Sequence, residues 1–193
     1  MASQPLTGMT PEEYLELDRK SEWKHEFYRG QVYAMAGGSR AHSFVINNIQ
    51  VALTIGIGDR DCGVFQSDLR VCVGRQRLWT YPDVTVVCGP TETIEGDPET
   101  VTNPALIVEV LSPSTANFDC TGKSITYRAS RTLRELLLVE PDEVLVEHSW
   151  KLPNGHWEME IVTDLSAILT LSSLDIELPV AQIYRRMDFL SRS

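Results

Sequence analysis

The amino-acid sequence predicts an α/β or α+β fold, a mixed sheet with helices on its faces. Three patterns predict it. Apolar residues recur at helical spacing between capping signals. Short runs alternate with period two. Two further runs, Asp83–Cys88 and Ala105–Leu111, are β-branched and nearly all apolar, as suits central strands covered on both sides.

The elements follow in order. Thr10 caps a first helix, Pro11 suits its first position, and Glu13 closes a capping box; the helix runs to about Arg19. HEFYRGQVYA predicts a hairpin turning at Arg29-Gly30. Ser39 caps a long second helix, with Val45, Ile49 and Ala52 at helical spacing and Gly56 or Gly58 ending it. From Gly63 to Val73 the period becomes two, which predicts one half-buried strand. The two apolar strands come next, then a helix from about Cys120 to Ser130. Strands at Glu135–Val139 and Val144–Trp150 flank the turn Glu140-Pro141-Asp142, and Trp157–Val162 pairs across Pro153-Asn154-Gly155. A short helix closes the chain, from Val180 to Met187.

The chain has 193 residues, 42% apolar and 23% charged, which fits a single soluble domain over 1–193. No run approaches the roughly 20 apolar residues of a membrane helix, and no secretory signal opens the sequence. Cys62, Cys72, Cys88 and Cys120 form no C-x-x-C pair, so a zinc site is not expected. Cys72 and Cys88 lie in apolar runs and are expected as small buried thiols. Free cysteines would place the protein in the cytoplasm.

The net charge is −10, from 17 basic and 27 acidic residues. A nucleic-acid binder normally shows a basic face, because phosphate neutralisation dominates affinity. Such a face must be local here. Arg70, Arg75 and Arg77 form one candidate cluster. Lys123, Arg128, Arg131 and Arg134 form another. For either cluster alone, solvated charge with no partner is the commoner outcome.

Glu109 is the informative residue. It interrupts LIVEVL, in a strand expected to be buried, and a buried glutamate without a partner costs several kcal/mol. Asp83 opens the other apolar strand after Tyr81-Pro82. If the strands are neighbours, the two carboxylates can meet on one divalent cation, which takes hard oxygen ligands. Lys123 follows 14 residues after Glu109 and could stand beside a metal-bound water. Structural roles are as well supported by these patterns: an ion pair for Glu109, a turn cap for Asp83, a surface position for Lys123.

These residues occur in a familiar order. His25-Glu26-Phe27-Tyr28-Arg29-Gly30, Ala41-His42-Ser43 and Ser67-Asp68-Leu69-Arg70-Val71 precede Tyr81-Pro82-Asp83-Val84. Val108-Glu109-Val110-Leu111-Ser112-Pro113-Ser114 follows, then Asp119, Lys123 and Tyr127. From about Met9 to Glu147 the set resembles the Uma family of restriction endonucleases, a branch of the PD-(D/E)XK nuclease superfamily. The resemblance implies a restriction-endonuclease-like mixed sheet flanked by helices. It implies Mg²⁺ or Mn²⁺ on Asp83, Glu109 and the Val110 carbonyl, with Lys123 assisting the attacking water. Glu26 and His42 would stand at the site edge. The implied activity is hydrolysis of nucleic-acid phosphodiesters, with DNA as the expected partner and a homodimer as the expected assembly.

The chain departs from the pattern in places. Leu111 stands where the wider superfamily carries its lysine, so Lys123 must fill that space from a helix. Cys120 and Gly122 replace charged neighbours of that lysine, and Gln31 replaces an acidic residue after Gly30. A non-catalytic binding or assembly module on the same scaffold, or a metal-dependent hydrolase of a small phosphorylated substrate, are the competing functions.

Overall fold

The computed structural model describes residues 5–35, 37–75, 77–112 and 122–187. Along the chain they form β1 (Leu6–Thr7), α1 (Pro11–Lys20), β2 (His25–Tyr28), β3 (Gln31–Ala34), α2 (Arg40–Ile57), β4 (Cys62–Gln66), β5 (Arg70–Val73), β6 (Leu78–Thr80) and β7 (Val84–Cys88). Then come β8 (Thr93–Ile94), β9 (Asp97–Val101), β10 (Leu106–Val110), α3 (Ser124–Arg128), β11 (Glu135–Val139), β12 (Val146–Lys151), β13 (Trp157–Val162), β14 (Ile168–Leu171), β15 (Ile176–Pro179) and α4 (Val180–Ile183).

The fold is mixed α+β, with two large sheets where the sequence suggested one. Six strands run β13-β12-β11-β10-β7-β4, and seven run β1-β3-β2-β6-β5-β9-β8. Each contains one parallel pair, β10 with β11 and β5 with β9. A β14–β15 hairpin stands apart.

The expected strand from Gly63 to Val73 is two strands. It turns after Gln66, where the Leu69 N–H donates to the Gln66 carbonyl, and its halves join different sheets. The connection is only three residues, 67–69, and the alternation on either side reads on across it, so the pattern alone could not reveal the break. β8 and β9 lie in the acidic stretch after Thr91, whose Gly, Pro and charge content resembles a loop.

The alternation of each strand divides its residues between two cores. On one face of the six-stranded sheet, Val84, Val108 and Leu137 pack under α2 through Val45, Ile49 and Leu53, with Leu169, Leu178 and Tyr184 from the C-terminal segment. On the other face, Ile107, Leu111, Leu136 and Leu138 meet Val71, Val73 and Leu78 of the second sheet, with Tyr127 from α3. Tyr14 of α1 covers the far side of the second sheet with Phe27, Cys72 and Trp79. The space between the two sheets holds the charged residues described below.

Both predicted caps are present. Thr10 and Glu13 form the capping box of α1, and the Ser39 hydroxyl accepts the His42 N–H at the start of α2. The cysteine expectation is corrected in part. Cys72 is a buried free thiol, but Cys88 is disulfide-bonded to Cys62, its direct opposite across the β4–β7 ladder. Cys120 lies outside the described residues. The free-thiol argument for a cytoplasmic location therefore loses two of its four cysteines. Among the described residues no helix is long and apolar enough to cross a membrane.

Candidate active site

β7 and β10 are antiparallel neighbours, with Thr85 opposite Ile107 and Val84 opposite Val108. The ladder ends there, with Asp83 just before β7 and Glu109 one residue past the last pair on β10. Glu109 shares the face of Ile107, the one turned toward the second sheet.

Glu109 is buried, and its Oε1 accepts the Tyr127 hydroxyl at 2.6 Å and faces Lys123 Nζ at 3.4 Å. Lys123 stands at the N-cap position of α3 and is itself buried. Its Nζ donates at 2.6 Å to Oε1 of Glu26 on β2. The Thr80 hydroxyl donates to the same Glu26 oxygen. The ammonium is thus held between a carboxylate from each sheet. Leu111 is part of the apolar core, and the lysine arrives from the helix.

Asp83 is partly buried. Its Oδ2 accepts the Val110 N–H at 2.7 Å and faces His42 Nε2 at 3.3 Å. His42 lies in the first turn of α2. A Cβ built on Gly38 would fall 2.4 Å from His42 Nδ1, so only glycine leaves room for that ring. The predicted residues thus fall into two groups of contacts: Glu26, Lys123 and Glu109 between the sheets, and Asp83 with His42 and the Val110 N–H beside the start of α2. Asp119 and the Pro113-Ser114 segment lie outside the described residues.

Glu26 and Glu109 share the ammonium of Lys123, and Asp83 faces the His42 imidazole. Among the described residues, no three His, Cys, Asp or Glu side chains are close enough together to hold a metal ion.

Tyr127 and Thr80 are the site residues that sequence reasoning missed. Tyr127 stands four residues after Lys123, the helical spacing that puts both on one face, so a signal was present. Burial, reinforced by the Glu109 charge, pushes its phenol well above the ordinary range and keeps it a donor. Thr80 carries no pattern that distinguishes it.

Arg70 is a correction to the first arginine cluster. It is buried, donates to Asp18, Tyr81, Thr100 and Asp97, and so ties β5 to α1 and β9. Burial pushes the Asp97 carboxyl up, but the Thr100 hydroxyl and the Arg70 and Arg19 guanidiniums outweigh it and leave it below the usual range. In the second cluster Arg128 pairs with Glu147 at 2.7 Å, while Arg131 and Arg134 are exposed.

Comparisons with known proteins bear on the family and the fold. The family model "Uma2: Putative restriction endonuclease" matches residues 11–181, which extends past the Met9–Glu147 span of the resemblance to take in the C-terminal strands. The uncharacterized protein slr1290 of Synechocystis sp. is 34% identical over 187 residues, covering 97% of each chain. A second Synechocystis protein, sll1609, is 33% identical over 168 residues, covering 87% of this chain and 95% of its own. A crystal structure from Anabaena variabilis, of "a putative nuclease belonging to DUF820", superposes with a TM-score of 0.75. Its identity is 19%, over 93% of this chain and 98% of that one, so it speaks to the fold alone.

Proposed function

Because this chain belongs to the Uma2 restriction endonuclease family, we propose that it is a metal-dependent endonuclease acting on nucleic-acid phosphodiesters, DNA first among them. The observation that carries the reading is the buried pairing of Lys123 with Glu109, one residue along β10 from Val110, whose N–H Asp83 holds. The donors available there, two carboxylates and the Val110 carbonyl, are all oxygen. Mg²⁺ and Mn²⁺ favour such donors and need only one or two carboxylates with water and substrate phosphate.

When bound, that cation would polarise the phosphate and lower the pKa of its water. The protein's own groups would do the rest. Asp83 and Glu109 would hold the cation. Glu26 and Thr80 fix the Lys123 ammonium, which would orient the attacking water and offset charge developing on the phosphate. Tyr127 would keep Glu109 in place. A homodimer, placing one site on each strand of a duplex, and a cytoplasmic setting belong to the same proposal.

Plasmid incubated with Mg²⁺ or Mn²⁺ tests it, beside Asp83→Ala and Lys123→Ala. Nicking by the wild type that both variants lose is the expected result. A wild type that binds Mn²⁺ yet leaves DNA and RNA intact, while cleaving a small phosphate ester, would overturn it. A wild type that binds no metal would fit a non-catalytic module instead.

A further inference from the structure

An exposed cluster of arginines stands at the end of β2 that follows Glu26. The Arg29 N–H donates to the Arg77 carbonyl at 3.0 Å, which clamps the β2–β3 turn to the β5–β6 turn. Three arginines, Arg29, Arg75 and Arg77, meet there, and all are exposed. None of them forms an ion pair among the described residues. Elsewhere Arg19, Lys20, Lys24, Arg70, Lys123 and Arg128 are each tied to a carboxylate.

The corner is held firmly. Arg29 and Arg75 both have left-handed backbone, at φ 49° and 56°, which non-glycine residues adopt at a cost. The Arg29 guanidinium also lies 5.1 Å over the Tyr28 ring. Gly74 sits so close to α3 that an added Cβ would fall 2.4 Å from Thr126 Cγ2. The β5–β6 turn is therefore seated on the helix that carries Lys123. Along β2, Arg29 lies three residues beyond Glu26, roughly 10 Å at about 3.3 Å per residue, a span that a few nucleotides of one strand cover.

We propose that Arg29, Arg75 and Arg77 form the contact surface for the phosphate backbone of the nucleic acid, further along the strand from the phosphate held at Asp83 and Glu109. The inference rests on the nuclease reading only for the place of the cleaved phosphate. The backbone would supply the anions that the protein withholds from these arginines. It would also let a chain of net charge −10 accept a polyanion, because repulsion from distant acidic groups is screened within about 8 Å at physiological salt.

The test measures binding without cleavage, in EDTA, of a fluorescent DNA duplex and the same duplex as RNA across a salt series. The neutral variant combines Arg29→Asn, Arg75→Asn and Arg77→Gln, since asparagine tolerates left-handed backbone. A second variant carries lysine at all three positions. The expected result is salt-dependent wild-type binding whose log–log slope falls by about 0.9 per arginine neutralised, with lysine restoring most of it. The duplex that shows the loss identifies the nucleic acid. Wild-type slope and affinity in the neutral variant, or no wild-type binding to either duplex, would overturn the inference. A wild type that binds in this way but never nicks plasmid keeps the inference and removes the nuclease reading. A wild type that nicks, beside a neutral variant that binds and nicks equally well, removes the inference alone.

Discussion

Asp83 completes the hydrogen bonding of Val110 on the neighbouring strand: its Oδ2 accepts the Val110 N–H at 2.7 Å, where the β7–β10 ladder has already ended. The side chain stands in for a backbone carbonyl. The same oxygen faces His42 Nε2, and among the described residues Oδ1 has no hydrogen-bond partner. One carboxylate oxygen is spent on holding the strand end, and the proposed metal role falls to the other.

That division separates two roles which substitution can dissect. Asp83→Asn keeps an oxygen for the Val110 N–H and loses the charge. Its unfolding free energy should stay within about 1 kcal/mol of wild type, whereas Asp83→Ala orphans the N–H at a cost of about 1–3 kcal/mol. Mn²⁺ titration by calorimetry should show both variants losing more affinity than the roughly ten- to hundredfold typical of an outer ligand partner. His42→Ala should fall inside that range. Unchanged Mn²⁺ binding by Asp83→Asn would remove Asp83 from the metal.

Tyr127 supplies a test that does not require activity. Its hydroxyl donates at 2.6 Å to a buried carboxylate, a bond worth about 1.5–3 kcal/mol, so Tyr127→Phe should destabilise by that amount near neutral pH. Its folded pKa is raised, by burial first and the Glu109 charge second. The unfolded phenol ionises near pH 10 while the folded one does not. The tyrosine's contribution is therefore complete below about pH 10 and declines above it, by about 1.4 kcal/mol per pH unit. Urea unfolding of both proteins at about pH 8 and pH 11 should show the gap shrinking at the higher pH. A gap independent of pH would mean that the phenol ionises equally in both states.

Much of this arrangement was legible because burial makes charge conspicuous. Glu109 betrayed itself by interrupting LIVEVL, and Asp83 by opening DVTVVC. The capping residues Thr10 and Ser39 marked their helices through local chemistry alone. What stayed hidden depends on contacts distant in sequence. Arg70 resembled a surface cation until Asp18 and Asp97, 52 and 27 residues away, enclosed it. The Arg29 corner needed β2 and β6 to become neighbours. The pairing of Cys62 with Cys88 needed the β4–β7 register, which spacing in sequence does not specify.

That disulfide yields a prediction of its own. β4 is the edge strand of the six-stranded sheet, and Cys62–Cys88 staples one end of its ladder with β7; Gln66 and Val84 close the other end, next to Asp83. The link spans 26 residues of chain, including β5 and β6, and so restricts the unfolded state. Denatured protein without reductant should offer no more than two of its four cysteines to a thiol reagent, and all four after reduction. The double variant Cys62→Ser/Cys88→Ser should lose about 3 kcal/mol of unfolding free energy. Its Mn²⁺ affinity should match the wild type, because the staple lies at the far end of the ladder from Asp83. Four reactive thiols before reduction would show that the bond does not form. A fall in Mn²⁺ affinity would show that the ladder transmits strain along its full length to the site.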